Sequence, residues 1–141
     1  IEAIVRGALH TLDLPDGANV GTVDHIDTAL DDYISYILTT VDTRLDGIKA
    51  AVDCGNGAAS FAAPSALKKL GVDCTIIHDD PNGLNINASC GSTHIEEVTR
   101  LVKETGADIG FAFDGDADRL MAVNWEISST AIECCPSAAT T

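Results

Sequence analysis

Phe111-Ala112-Phe113-Asp114-Gly115-Asp116-Ala117-Asp118-Arg119 decides how this chain reads: a hydrophobic run of strand character ends in three carboxylates at alternate positions. Extended backbone sends successive side chains to opposite sides, so residues i, i+2 and i+4 can converge on one side of a loop. Gly115 and Ala117 between them offer little steric competition. Three like charges this close repel, and a hard cation such as Mg²⁺ or Ca²⁺ that takes their oxygens makes the arrangement favourable. A solvated acidic turn has the same spacing. A calcium hand starting at Asp114 is excluded, because it needs Gly at its sixth position and Glu at its twelfth, where Arg119 and Trp125 stand. Arg119 suits either a clamp that holds an anionic phosphate by paired hydrogen bonds or a plain counter-charge to the aspartates.

Upstream of this loop the pattern alternates between strand and helix. Apolar residues Ile26, Leu30, Tyr33, Ile34, Ile37, Leu38 and Val41 recur at helical spacing, which predicts a helix from Asp24 to about Thr43 with Asp24 or Asp27 as its cap. Asp46-Gly47 turns the chain into a short strand, Ile48 to Val52, and a helix follows from about Ala58 to Leu70, with Pro64 inside it and Gly71 ending it. Val72 to His78 reads as the second strand. The loop from Asp79 to Thr93 is longer than most connections, which marks it for function. Ser92 or Thr93 is placed to cap a helix carrying Ile95, Val98, Leu101 and Val102 on one face and ending at Gly106. Asp108 to Phe113 is then the third strand, and Leu120 to Val123 the fourth. This order predicts an α/β domain with a mixed, partly parallel sheet of about four strands and flanking helices, with ligands gathered at the carboxyl ends of the strands.

Composition narrows the function. The 141 residues are 45% hydrophobic, enough for one domain with a real core. A net charge of −14 argues against nucleic acid as a partner. Five cysteines, with no Cys-x-x-Cys pair and no paired histidine spacing, point to neither a disulfide framework nor a zinc site, and reduced cytoplasmic thiols are the expectation. No apolar run is long enough to cross a membrane, and the first residues lack the order of a signal peptide. The chain begins without Met, and Ile1 to Leu9, read as a turn or two of helix, looks like the end of a preceding unit. Gly55-Asn56-Gly57-Ala58-Ala59-Ser60 lies between strand and helix, where backbone amides could bind phosphate. It matches the dinucleotide fingerprint weakly, with Ser in the third glycine position, and a tight structural turn is the reading taken. His94 is read as a surface or capping residue, and no serine has a His-Asp set to make it a nucleophile.

Three segments in order carry a family resemblance: Pro81-Asn82-Gly83-Leu84-Asn85-Ile86-Asn87, Cys90-Gly91-Ser92-Thr93-His94, and Ala112-Phe113-Asp114-Gly115-Asp116-Ala117-Asp118-Arg119. Together they resemble the phosphoglucosamine mutases, a branch of the α-D-phosphohexomutase superfamily. Ala117 and the Cys-Gly-Ser-Thr-His segment point to that branch over the phosphomannomutases and phosphoglucomutases. Val52 to Ala59 is similar to the start of the family's second domain.

The resemblance implies interconversion of glucosamine 6-phosphate and glucosamine 1-phosphate, on the way to UDP-N-acetylglucosamine, through a phosphoserine in the first domain. It makes Asp114, Asp116 and Asp118 the ligands of Mg²⁺ and places Arg119 at the phosphate end of the site. It also divides the chain into residues 1–20, the end of domain one and a linker; residues 21–123, the metal-binding domain two; and a non-matching tail, residues 124–141, expected to be largely disordered. The family's Ser-His-Asn-Pro nucleophile loop, its Gly-Glu-x-Ser-Gly sugar loop and its carboxyl-terminal phosphate-binding domain are not in these 141 residues. The implied partners are a phosphosugar and domains one, three and four, and the chain alone is expected to be inactive. A stand-alone Mg²⁺/phosphate-binding module, another phosphohexomutase, and a nucleotide-binding domain using Gly55 to Ser60 are the competing readings.

Overall fold

The structure, a computed structural model, describes residues 2, 6–7, 15–124 and 132–133. The helical turns expected over residues 1–9 and most of the tail expected to be disordered lie outside these residues. Strand β1 (Lys49–Asp53) is central, with β2 (Asp73–Ile77) on one side and β3 (Ile109–Phe113) on the other, both parallel to it. Beyond β3 the sheet turns antiparallel through β4 (Leu120–Val123). A short β5 (Ile132–Glu133) pairs with β4, one strand more than the sequence reading anticipated and drawn from the segment read as tail.

The strand order β2-β1-β3-β4-β5 explains the layers. The step from β1 to β2 moves one way along the sheet, and the step from β2 to β3 moves back across β1. Right-handed crossovers in opposite directions put their helices on opposite faces. Accordingly α2 (Ala59–Leu70) covers one face, over Ala50, Val52, Cys54 and Val72, and α3 (Glu96–Thr105) covers the other, over Ala51, Ala112 and Val123. Val98 and Val102 of α3 are essentially fully buried, each contributing roughly 1.5–3 kcal/mol of apolar burial. Gly71 and Gly106 end these helices in the left-handed conformation, as expected.

Two helix boundaries differ from the sequence reading. Helix α1 spans only Ala29–Leu38, because of its apolar residues only Ile34 is fully buried; Ile26 (70% exposed) and Tyr33 (55%) have no sheet to cover them. Its amino end is Thr28, whose hydroxyl bonds the Asp32 side chain, and neither Asp24 nor Asp27 caps it. Ser92 and Thr93 do not cap α3 either: they lie in a short 3₁₀ turn, Gly91–Thr93, and α3 starts after Ile95. The chain needs that extra turn to carry it away from Gly91, which is pinned to the end of β1.

Candidate metal centre

The carboxyl ends of β1 and β3 are neighbours whose connections leave in opposite directions, and this is where an α/β sheet opens a crevice for ligands. The acidic loop closes the β3–β4 hairpin there: the Asp114 amide bonds the Arg119 carbonyl at 3.3 Å and the Ala117 amide bonds the Asp114 carbonyl at 3.1 Å. Asp114, Asp116 and Asp118 each offer a carboxylate oxygen, and the three lie within 4.8 Å of one another. The alternation argument reached the right side chains by the wrong backbone. Residues 115–118 form a turn, with Ala117 in the left-handed region (φ 60°), so turn geometry rather than strand pleat gathers the carboxylates.

Asp114 is 2% exposed, whereas Asp116 and Asp118 face solvent. The Arg119 amide donates to Asp114 Oδ1 at 3.1 Å, and Arg119 Nε donates to Asp114 Oδ2 at 2.7 Å and lies 3.5 Å from Asp118 Oδ1. Burial opposes ionisation of Asp114, yet the Arg119 amide, a hydrogen bond with Asp118 and the Arg119 guanidinium together hold its carboxyl below the usual range. Asp118 is pushed the other way, first by the hydrogen bond it shares with Asp114, then by burial and by the charges of Asp114 and Asp116. Opposed shifts in adjacent carboxylates are the mark of like charges held close together, a repulsion that a divalent cation among them would relieve. An all-oxygen donor set at a strand end, half buried and half open, fits Mg²⁺ as a ligand class. In this state Arg119 is the counter-charge, bound through Nε; its terminal nitrogens, on a side chain 54% exposed, are the ones a phosphate could engage.

The loop is buttressed by two turns whose role the sequence reading understated. Gly57 lies so close to the acidic loop that a Cβ there would stand 2.2 Å from the Gly115 carbonyl oxygen, and the Ala58 amide bonds that same oxygen at 2.9 Å. The Gly55-to-Ser60 segment is therefore a tight structural turn, as read. Gly91 is equally constrained, with 2.5 Å between its would-be Cβ and the Phe113 carbonyl oxygen. Buried Asp53 joins the two turns, its Oδ1 accepting from the Gly55 amide at 2.8 Å and its Oδ2 from the Gly91 amide at 2.9 Å. The Asp53–Gly55 bond is an Asx turn that Asp-x-Gly could have signalled; the bond to Gly91 spans 38 residues and had no local signal. His94 is exposed, as expected.

Residues 31–126 match the family model described as phosphoglucomutase/phosphomannomutase, alpha/beta/alpha domain II. The chain is 46% identical over 124 residues to a phosphoglucosamine mutase of Acetivibrio thermocellus, covering 88% of this chain and 28% of that one. With the phosphoglucosamine mutase of Alkaliphilus metalliredigens identity is 53% over 108 residues, covering 77% and 24%. It thus spans about a quarter of the length of these curated relatives. Among solved structures, a phosphoglucomutase/phosphomannomutase family protein from Burkholderia thailandensis superposes with a TM-score of 0.66 at 33% identity, over 81% of this chain and 25% of that one. Aspergillus fumigatus N-acetylphosphoglucosamine mutase, solved with GlcNAc-6P and magnesium, shares the fold at a TM-score of 0.50 and 19% identity, over 79% and 23%. The three motifs, the α/β/α layers and these matches agree: the chain belongs to the phosphoglucomutase/phosphomannomutase family, as its second domain, and within it resembles the phosphoglucosamine mutases.

Proposed function

We propose that this chain is the metal-holding domain of a phosphoglucosamine mutase, with Asp114, Asp116 and Asp118 as the ligands of Mg²⁺ and Arg119 at the phosphate end of the site. The observation that carries the reading is the convergence of three carboxylates at the end of β3 with Arg119 clamped to Asp114. When bound, Mg²⁺ supplies charge neutralisation to a transferring phosphoryl group, where catalysis is mainly positioning and electrostatics. The chain's own residues do the rest: Asp114 is oriented by the Arg119 amide and guanidinium, and Asp116 and Asp118 face outward toward the place a phosphosugar would occupy. Arg119 is a switchable partner, able to trade its Nε contact for a phosphate once a cation satisfies Asp114.

The reaction that fits is interconversion of glucosamine 6-phosphate and glucosamine 1-phosphate by way of a phosphoserine, in UDP-N-acetylglucosamine synthesis. That serine belongs to domain one, and residues 1–20 are the end of that domain and its linker, residues 21–123 being domain two. A cytoplasmic setting suits three free thiols, Cys54, Cys74 and Cys90; among the described residues no helix is long and apolar enough to cross a membrane. The purified 141-residue chain is expected to show no mutase turnover, and domains one, three and four added in trans to restore it. Turnover by the chain alone, abolished by Asp116→Ala, would overturn the need for those domains. Mg²⁺ binding without turnover in the reconstituted mixture would favour a stand-alone binding module.

A further inference from the structure

Behind the acidic loop lies a second group of ligand-type atoms that the proposed reaction does not use. A carboxylate oxygen of Asp53, at the end of β1, His78 Nδ1, just past β2, and Cys90 Sγ, in the loop before α3, lie within 4.8 Å of one another. Asp53 and Cys90 are fully buried, and the His78 side chain is 29% exposed, which leaves one edge of the group open to solvent. Asp53 cannot swing away, because the Gly55 and Gly91 amides hold its two oxygens, while each oxygen retains a lone pair.

The histidine gives an independent pointer. Its Nδ1 is buried and lies 3.1 Å from Asp53 Oδ1, yet not in a hydrogen-bonding direction, and it has no hydrogen-bond partner among the described residues. A buried ring nitrogen in that condition calls for a water or an ion. Cys90 tells the same story from the sulfur side. Burial, and after it the Asp53 charge, raise its thiol, while the Asn56 side-chain amide, donating to Sγ at 3.8 Å, favours the thiolate. A bound cation would reverse the first two effects and keep the third.

The mixed N, S, O set sets the class of ion. Thiolate and imidazole select borderline cations over Mg²⁺ or Ca²⁺. Tetrahedral zinc bonds of roughly 2.0–2.3 Å put ligand atoms about 3.3–3.8 Å apart, so the group needs only a modest closure. We propose that Asp53, His78 and Cys90 form a three-ligand site for a borderline divalent cation of the Zn²⁺ class, with water in the fourth position, separate from the acidic loop. Occupied, the site ties the ends of β1 and β2 to the loop that buttresses the acidic turn.

Co²⁺ is the probe, titrated into the reduced 141-residue chain and followed by its thiolate charge-transfer absorption, with Zn²⁺ as competitor. The proposal expects one Co²⁺ with that band, displaced by Zn²⁺. Cys90→Ser abolishes the band, and His78→Ala weakens binding at least tenfold, no less than the loss of an outer-shell partner costs. Asp116→Asn leaves both unchanged. Absence of the band in the wild-type chain overturns the proposal. So does a band that survives Cys90→Ser, above all one that disappears instead with Cys134→Ser and Cys135→Ser. Should Cys90→Ser lower the folded fraction by circular dichroism, His78→Ala, at a partly exposed ring, decides the matter through affinity alone.

Discussion

Gly57→Ala probes how the acidic loop is held in place. Gly57 is not in a left-handed conformation, so alanine's backbone is admissible there and the penalty is purely steric. The new Cβ would stand 2.2 Å from the Gly115 oxygen and 2.7 Å from its carbonyl carbon and Cα. Restoring ordinary contact, from 3.4 Å upward, requires the turn and the acidic loop to part by about 1.2 Å, the difference between those two distances. That separation strains or breaks the 2.9 Å bond from the Ala58 amide to the Gly115 carbonyl. Overpacking costs typically about 1–3 kcal/mol and the hydrogen bond about 0.5–1.5, giving roughly 1.5–4.5 kcal/mol of lost stability. The same shift spreads the carboxylates, and Mg²⁺ affinity should fall about 10- to 100-fold, as when supporting groups around a metal site are removed. Urea unfolding followed by circular dichroism reads the first effect and Mg²⁺ titration by NMR the second. A variant with wild-type stability and wild-type Mg²⁺ shifts would refute the claim that this glycine contact positions the loop.

Other perturbations test the neighbouring parts. Asp53→Ala removes a buried acceptor from the Gly55 and Gly91 amides and should cost about 3–6 kcal/mol in urea unfolding, at about 1.5–3 for each charge-assisted bond; a cost under 1 kcal/mol would mean the two turns do not depend on it. Asp114 is held below its ordinary value of 3.8, so the stability its carboxylate contributes is fully present above that pH and lost as pH falls below it. The urea midpoint should therefore hold steady down to about that pH and drop as pH falls further below it, and Asp114→Asn should flatten that dependence; an equally steep drop in the variant places the effect elsewhere. Arg119→Lys keeps the charge but loses the Nε bond to Asp114, and in the reconstituted enzyme it should raise KM for the phosphosugar about tenfold or more; an unchanged KM would leave Arg119 a counter-charge only.

What could be read from the sequence was what local chemistry dictates. The face of α3 was visible because Val98 and Val102 recur at helical spacing and both end up buried against the sheet. Strands β3 and β4 were visible on either side of a turn written in acidic and small residues, but their antiparallel pairing was not read from it. The ends of α1 were not visible, since Ile26 and Val41 keep the helical rhythm but nothing among the described residues packs on them enough to hold a helix there. The candidate site divides the same way. Asp114, Asp116 and Asp118 are neighbours in sequence and were legible as a group, whereas the Asp53–Gly91 brace and the approach of His78 to Cys90 join separate segments and exist only once β1, β2 and β3 lie side by side. A spacing rule for histidines and cysteines cannot see side chains that the sheet, rather than the chain, brings together.

The central claim is that the acidic loop is a Mg²⁺ site, and Asp116 tests it most cleanly. Asp116 is solvent-facing, so Asp116→Asn should leave the fold intact. Mg²⁺ titration of the isotopically labelled chain should move the amide signals of Asp114 to Arg119 in a saturable way, and Asp116→Asn should weaken that response at least tenfold with an unchanged urea midpoint. Wild-type signals that do not move, or that move identically in the variant, would contradict the account.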